Sequence, residues 1–407
     1  MFFIIALVIF ANVEVNGLVL KQVVILSRHN IRAPLTDNLE ELSENIWPKW
    51  KTEAAHLTPK GALLEGYMGE FFLNWLQEEK LFNESCPSSV HIYANAPQRT
   101  RATAEAFVNS VFKNCSIKVN YKENVTSDPV FHPVFQNDIA AFKEMVILDM
   151  QKSLDELELN DSYQLINNII DIETSKLCKI KSFCDMTKRK DDIIFEINEE
   201  PNVYGPLSLG NTIVDVFLMS LYQGHNIEDI AWGKIRSPAE WKTLTRITKE
   251  NQNVRFKNPS FCGHLAKPLL DYMKNLFLND TAPKLTGLFG HDSNLNAVMC
   301  SLGFKPYELP RQYEGTPIGG KIVFQKWHSN VTGNDLLKID YVYPSVGQLR
   351  FSTKFWDEES PQQVTMELEK CKIDKHGFCS WSDFVKILHS LDVNVLSTTT
   401  RLISDEA

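Results

Sequence analysis

Length, composition and charge set the first limits on this chain. It has 407 residues, of which 43% are hydrophobic and 23% charged, enough for one large α/β domain or for a domain with a sizeable insertion. Its net charge of −9 and pI near 5.7 differ from the strongly basic character of proteins that coat nucleic acid. We therefore expect no nucleic-acid partner, and any anion site has to be local.

The amino terminus carries a short apolar stretch at residues 2–11, followed by small and polar residues. The stretch is too short to span a bilayer and is typical of a secretory signal peptide. We predict a signal peptide over residues 1–17, cleaved after Gly17; a buried amino-terminal strand is the alternative. Since no later stretch is long and apolar enough for a membrane helix, the sequence predicts a secreted or lumenal protein without a membrane anchor.

Cysteines and glycosylation triplets agree with that compartment. Eight cysteines are typical of disulfides formed in an oxidising environment. The candidate pairs are Cys86–Cys115, Cys178–Cys184 and Cys371–Cys379, and the pairing of Cys262 and Cys300 is left open. Asn-x-Ser/Thr triplets, which suggest glycans on surface loops, occur at Asn83, Asn114, Asn124, Asn160, Asn279 and Asn330.

Three segments place polar residues where a predicted strand ends. We predict buried strands over residues 23–26, 91–94 and 285–289. A helix through Phe107 follows the second, and a helix capped by Asp292 or Ser293 and ended by Gly303 follows the third. In an open α/β sheet such strand ends meet at one crevice.

Between residues 131 and 268 charged segments with apolar residues at helical spacing predict a mostly helical insertion. The chain then returns to the sheet and ends it with a hairpin over 319–327 and 336–344. The predicted fold is α/β, with an open, mainly parallel sheet flanked by helices. Residues 18–130 and 269–407 form its main domain, and the insertion covers the crevice.

The segment "SRHNIRAP" sets His29 between Arg28 and Arg32. Guanidinium groups match phosphate oxygens bidentately, and a neutral imidazole beside a phosphoryl group can attack phosphorus to form a phosphohistidine. The alternative is an exposed basic turn whose histidine has no chemical role.

The other two strand ends supply further candidates. Arg99 would be a third guanidinium, whereas Arg101 faces away on the helix surface. In "GHDSN", His291 would bind a phosphoryl oxygen, and a carboxylic acid at Asp292 would protonate the leaving oxygen. A helix cap with a structural histidine is the alternative for this segment.

Taken together, these segments resemble the histidine acid phosphatases. "SRHNIRAP" resembles their RHGxRxP motif and "GHDSN" their HD motif, and "LTPKG", "QRT", "GPLSLGN", "AWG" and "TPIGGKIVFQKW" extend the resemblance over almost the entire mature chain. It implies that His29 is the nucleophile and that Asp292 is the proton donor, which then helps water attack the phosphohistidine. It also implies a phosphate cradle of Arg28, Arg32, Arg99 and His291. No metal or other cofactor is expected, because these cationic and polar groups supply the positive charge.

Within that family, asparagine follows the catalytic histidine in the glucose-1-phosphatases, as Asn30 does here, whereas phytases have glycine. Glu200 falls where the glucose-1-phosphatases place an acidic residue over the pocket. It would repel highly phosphorylated substrates and bind a sugar hydroxyl; a solvated loop glutamate is the alternative.

The resulting prediction is a secreted acid phosphatase that hydrolyses small phosphate monoesters, in particular sugar phosphates such as glucose 1-phosphate. An acid optimum is expected because Asp292 has to be protonated. The alternatives are a phytase or broad-specificity acid phosphatase, a phosphomutase of the wider superfamily, and a non-catalytic secreted protein that binds a phosphorylated ligand. The sequence predicts no oligomeric state.

Overall fold

The computed structural model describes residues 17–36, 38–136, 139–355 and 360–391. All of the predicted signal peptide except Gly17 lies outside these residues and stays a prediction. The strands of the main sheet are β1 Leu18–Arg28, β2 Val90–Ala94, β3 Val119–Asn120, β6 Leu285–Gly290, β7 Lys321–Ser329, β8 Asp335–Tyr343, β9 Gln362–Thr365 and β10 Phe378–Ser380, and a separate small hairpin consists of β4 Asp192–Ile194 and β5 Asn202–Tyr204.

The main sheet is open, with the order β10-β8-β7-β1-β6-β2-β3, and β9 also pairs with β8. One half of the sheet is parallel and consists of β1, β6, β2 and β3. Strands β7 to β10 add antiparallel pairs, which include the predicted hairpin of β7 and β8. Strand β1 begins five residues before the predicted start because Leu18 pairs with Ser329 of β7. The predicted α/β class with an open sheet flanked by helices is confirmed.

Helices cover both faces of the sheet. They are α1 Pro59–Glu78, α2 Gln98–Val111, α3 Ala140–Asp155, α4 Asn160–Ile170, α5 Lys176–Lys181, α6 Pro206–Gln223, α7 Pro238–Phe256, α8 Cys262–Leu278, α9 Asp292–Leu302 and α10 Val346–Phe351, with short 3-10 helices at Leu39–Glu41, Ile172–Thr174, Met186–Lys188 and Ile230–Gly233. None of the helices in the described ranges is long and apolar enough to cross a membrane.

Strand β1 contributes side chains to two hydrophobic cores, because successive residues of a strand face opposite sides. Val23 and Ile25 belong to the core with Phe72 of α1 and Phe107 of α2. Val24 belongs to the core that also contains the buried residues of α3 to α9. The crevice at the end of β1 is therefore supported from both faces of the sheet.

The segment predicted as an insertion is mainly helical where it is described, with α3 to α7 and the hairpin β4–β5. Its predicted boundary at residues 268 and 269 falls inside α8, which contains Pro268. The core of this segment is continuous with the core on one face of the sheet. The division into two domains therefore stays a prediction.

Four disulfides join the cysteines among the described residues. The three proposed pairs form as predicted, and Cys262–Cys300, whose pairing the sequence left open, joins the start of α8 to α9.

Candidate active site

One cleft of ≈ 710 Å³ opens where β1, β2 and β6 end. Because these strands are parallel, their carboxyl ends lie at the same edge of the sheet. All seven site residues predicted from the sequence line this cleft: Arg28, His29, Arg32, Arg99, Glu200, His291 and Asp292. The fold thus brings His29 and His291 together, with 5.5 Å between their ring centroids, although they are far apart in the chain.

The imidazole of His29 is held in one orientation and is 3% exposed. Its Nδ1 lies 2.9 Å from the carbonyl oxygen of Asn30. A carbonyl can only accept, so Nδ1 carries the hydrogen and Nε2 keeps its lone pair. Burial, followed by the charges of Arg99 and Arg32, lowers the pKa of His29 well below its ordinary value. The ring is therefore neutral at mildly acidic pH, with the lone pair on Nε2.

Carboxylates orient two of the three arginines. Arg28 Nη1 donates to Glu314 Oε1 at 2.7 Å, and its Nη2 lies 3.2 Å from Asp292 Oδ2. Arg32 forms a bidentate pair with Asp215, at 2.8 and 3.0 Å. Burial alone would lower the pKa of Arg28, but Asp292 and Glu314 outweigh it and raise that pKa. Arg28 therefore stays cationic although it is buried.

Each of the three arginines also has a hydrogen-bond donor without a partner among the described residues. The Nε–H groups of Arg28, Arg32 and Arg99 are buried and have no acceptor within the described part of the chain. Burial and then the charge of Arg32 lower the pKa of Arg99 to about 10, so it is charged at neutral and acidic pH. Buried donors without acceptors are uncommon. All three belong to side chains that line the cleft, and guanidinium groups match the oxygens of a bound oxyanion.

His291 presents a donor to the cleft. The side-chain oxygen of Asn95 accepts from the backbone N–H groups of Ala96 and Asp128, both at 2.8 Å. The amide nitrogen of Asn95 is therefore the group that lies 3.0 Å from His291 Nε2. Arg99 Nη2, also a donor, lies 3.5 Å from Nδ1. Because the contact at Nε2 is much the shorter, Nε2 is the acceptor and the hydrogen of a neutral ring is on Nδ1. Burial and then Arg99 lower the pKa of His291 well below its ordinary value.

Asp292 is the first residue of α9. Its side chain is 28% exposed to the cleft, and one carboxylate oxygen accepts from the backbone N–H of Ser293 at 3.0 Å. Burial alone would raise the pKa of Asp292, but Arg28, His291 and Arg32 together lower it. The carboxyl is therefore ionised at mildly acidic and neutral pH when no substrate is bound.

The cap of α9 differs from the prediction. The N-cap residue is His291, not Asp292 or Ser293, and its backbone N–H donates to Asn294 Oδ1 at 2.9 Å. This leaves the Asp292 carboxylate directed to Arg28 rather than used as a cap. Gly303, with φ +71°, ends the helix as predicted.

Glu200 lies in the same cleft, just before β5. Its side chain is 33% exposed, and Oε2 lies 3.4 Å from Arg255 Nη2. Arg255 is itself anchored, since its Nε donates to the carbonyl of Pro201 at 2.6 Å. Burial raises the pKa of Glu200, although Arg255 opposes that shift. Glu200 thus lies in a loop on the cleft, beside Arg255, and its role there stays a prediction.

Asn30 lies behind His29 and does not line the cleft. It is 2% exposed, and its Nδ2 donates to Glu65 Oε2 at 2.9 Å. Only the family resemblance connects Asn30 with substrate choice. That connection cannot be a direct contact with substrate.

Comparisons with known proteins agree with this geometry. The profile of the histidine phosphatase superfamily (branch 2) matches residues 19–141. A glucose-1-phosphatase of Salmonella typhimurium is 39% identical over 93% of this chain and 94% of its own length. The chain belongs to the histidine phosphatase superfamily. A glucose-1-phosphatase of Providencia rettgeri is 37% identical, with 91% of each chain covered. The solved phytase of Citrobacter braakii superposes with a TM-score of 0.83 at 26% identity, covering 92% of this chain and 98% of that one.

Sequence reasoning missed several residues that shape the site of this superfamily member. Asp215 had a signal, because it is the single charged residue of α6, and a carboxylate on an apolar helix needs a partner when it is buried. Glu314, Asn95 and Arg255 had none, since each acts through a neighbour that is distant in the chain. Arg101 lies outside the cleft, as predicted, with its guanidinium 4.7 Å from the centre of the Tyr121 ring.

No group of three or more histidine, cysteine, aspartate or glutamate side chains within the described residues could hold a metal ion. The positive charge that the cleft offers to an anion comes from its arginine and lysine side chains.

Proposed function

We propose that this chain is a phosphatase that hydrolyses phosphate monoesters through a phosphohistidine at His29, with sugar phosphates such as glucose 1-phosphate as its substrates. The observation that carries the proposal is the convergence of three arginine side chains, Arg28, Arg32 and Arg99, on the cleft that contains the neutral His29. The relatives named glucose-1-phosphatase, at 37% and 39% identity over most of the chain, support the substrate class.

In the first step, Nε2 of His29 attacks phosphorus, and the bond between phosphorus and the ester oxygen breaks. The three guanidinium groups and the Nδ1–H of His291 hold the non-bridging phosphoryl oxygens. The leaving oxygen takes a proton from the carboxyl of Asp292 and departs as an alcohol. The products of this step are the alcohol and an N-phosphorylated His29.

In the second step, water attacks the phosphohistidine. The carboxylate of Asp292 takes a proton from that water, the P–N bond breaks, and the electron pair returns to Nε2 of His29. Inorganic phosphate leaves, and Asp292 is protonated for the next cycle. The arginines stabilise the charge that develops on the phosphoryl oxygens in both steps.

Glu200 is the group that favours a substrate with one phosphate and a hydroxyl-rich leaving group. Its carboxylate would repel a second phosphate on the substrate, and it could accept a hydrogen bond from a sugar hydroxyl. A phytase is the second candidate, supported by the structural likeness to the Citrobacter braakii enzyme. The lower identity of that enzyme, 26%, makes it the weaker of the two.

We further infer that the protein follows a secretory route. Four disulfides and the apolar stretch at residues 2–11 support this inference. The asparagines of all six glycosylation triplets are exposed, so glycans could be attached without unfolding.

The test is a substrate panel on the purified protein, with glucose 1-phosphate and phytate as its two key members. We expect a higher kcat/KM for glucose 1-phosphate. Glu200→Gln should narrow the difference, because it removes the negative charge and keeps the shape of the side chain.

His29→Ala is the control for the mechanism and should abolish the activity on every substrate. Retained activity in that variant would refute the phosphohistidine. A wild-type protein that binds phosphate without hydrolysing either substrate would support a non-catalytic role, and a higher kcat/KM for phytate would favour the second candidate.

A further inference from the structure

A buried ion pair lies behind the nucleophile. Lys321 Nζ is 2.7 Å from Glu65 Oε1, and both side chains are 0% exposed. The second oxygen of Glu65 accepts from the side-chain amide of Asn30 at 2.9 Å. None of these three residues lines the cleft, so they do not contact substrate.

The ion pair is connected to the segment around His29 through Ser27 and Gly319. Lys321 Nζ donates to Ser27 Oγ at 2.9 Å and to the carbonyl of Gly319 at 3.2 Å. Gly319 in turn donates its backbone N–H to the carbonyl of His29 at 3.0 Å. The turn that carries the nucleophile is thus held from β7 and from α1.

Close packing fixes the Asn30 side of this arrangement. A Cβ at Gly319, which has φ +67°, would come within 2.6 Å of the Asn30 amide nitrogen. The side-chain oxygen of Asn30 accepts from the backbone N–H of Ile31 at 2.9 Å, and its own backbone N–H donates to Thr103 Oγ1 at 3.1 Å. The carbonyl of Asn30, which accepts from His29 Nδ1, therefore has little freedom to move.

Stability does not account for such a pair. Removing two charges from water costs more than a buried ion pair usually returns, and replacing both partners with apolar residues of similar volume is often neutral or stabilising. The Lys321–Glu65 pair instead orients the site, since it holds Asn30, whose carbonyl oxygen selects the tautomer of His29.

We propose that Asn30, Glu65 and Lys321 are positioning residues that hold the carbonyl of Asn30 against His29 Nδ1 and so direct Nε2 of His29 at phosphorus. This inference rests on the proposed phosphohistidine mechanism. It gives Asn30 a role in the rate of phosphoryl transfer and none in contacting the substrate.

The experiment compares the double variant Glu65→Leu/Lys321→Met with wild type. Both charges are removed together, so no unpaired charge stays buried. The Asn30 amide and the Gly319 carbonyl lose a partner, so the thermal unfolding temperature should fall, but less than in Glu65→Leu or Lys321→Met alone. The single-turnover rate of His29 phosphorylation should fall by about tenfold to a hundredfold, because the nucleophile is misdirected. KM should change much less than kcat, and the ¹⁵N NMR signals of His29 should show that the Nδ1–H tautomer is no longer the single form.

Gln325→Leu is the matched control. Gln325 lies on the same strand, is buried, and donates to Asp340 at 2.6 Å, away from the cleft. This variant should unfold at a lower temperature and phosphorylate His29 at the wild-type rate.

Asn30→Ala provides a second test that leaves the ion pair intact, in case the double variant does not fold. It should lower the phosphorylation rate without a comparable change in KM. A wild-type phosphorylation rate in either folded variant would overturn the positioning role. An inactive wild-type protein would instead overturn the proposed function, so the two failures are distinguishable.

Discussion

At the scale of single residues, the proton of Asp292 needs a source. Arg28, His291 and Arg32 lower the pKa of this carboxyl despite its burial, so Asp292 is a carboxylate before substrate binds. A bound phosphate brings negative charge, which raises the pKa of a neighbouring carboxyl. Since the second ionisation of a phosphate monoester has a pKa of about 6, substrate that binds as the monoanion also brings a proton.

The protonation states of His29 and Asp292 determine how kcat/KM changes with pH. The pKa of His29 is lowered, so His29 stays neutral and nucleophilic in mild acid, whereas the proton shared by substrate and Asp292 is lost as pH rises. We expect kcat/KM for an alkyl phosphate to fall above a pH of about 6 and to be retained in mild acid.

Asp292→Asn separates the effect of protonating Asp292 from the effect of protonating the substrate phosphate. It should lower kcat/KM, which reports formation of the phosphohistidine, by about 10²- to 10⁴-fold for the alkyl phosphate and much less for p-nitrophenyl phosphate, because that leaving group departs without a proton. An equal loss on both substrates would contradict the assignment of Asp292 as the acid.

At the scale of elements, α9 carries Asp292 at one end and a disulfide at the other. Its first turn carries Asp292, and Cys300 near its carboxyl end is joined to Cys262 at the start of α8. This disulfide spans 38 residues, and Cys86–Cys115 spans 29 in a part of the fold that does not line the cleft. The similar spans should give similar stabilisation, differing by only about 0.2 kcal/mol in the chain-entropy treatment.

Removing each bridge with paired alanine substitutions should therefore cost a comparable free energy of unfolding, about 2–5 kcal/mol. Only Cys262→Ala/Cys300→Ala should also lower kcat, because it loosens the helix that positions Asp292. Denaturant unfolding and steady-state kinetics at low temperature measure the two effects. A loss of kcat in the Cys86→Ala/Cys115→Ala variant that matched it would show that the effect is not specific to α9.

At the scale of the molecule, the cleft and the chain differ in charge. The chain carries a net charge of −9, whereas Lys249 and Lys257 line the cleft without a carboxylate within ion-pair distance among the described residues. Burial and then the charge of Lys249 lower the pKa of Lys257, as expected when two cations share one side of a cleft. Such local positive charge raises the encounter rate with an anionic substrate.

Raising the ionic strength should therefore lower kcat/KM, and Lys257→Gln should lower it by about two- to fivefold at low salt and flatten its salt dependence. Lys267→Gln on α8 is the matched control, since Lys267 pairs with Asp271 outside the cleft. A salt dependence that is identical in Lys257→Gln and wild type would contradict this role of the cleft charge.

The fold class and the candidate site residues at the strand ends could be predicted from the sequence. The strand ends at His29 and His291 are local patterns of apolar residues followed by polar ones, and strands that run parallel meet at one edge. The cysteines of the 178–184 and 371–379 pairs are near neighbours in the chain, so proximity in sequence predicted their pairing. These features depend on residues within about ten positions of each other, where periodicity and turn chemistry are informative.

Contacts between distant segments were not accessible in this way. Asp215 and Glu314 orient Arg32 and Arg28 from 183 and 286 residues away, and the Cys262–Cys300 bridge depends on how α8 packs on α9. The position of Asn30 shows the difference most directly, because its neighbour in sequence is the nucleophile but its side chain binds Glu65. The candidate reacting groups could be predicted from the sequence, whereas their directions are set by partners on α1, α6 and β7, since a side chain's orientation depends on the partners that the fold brings to it.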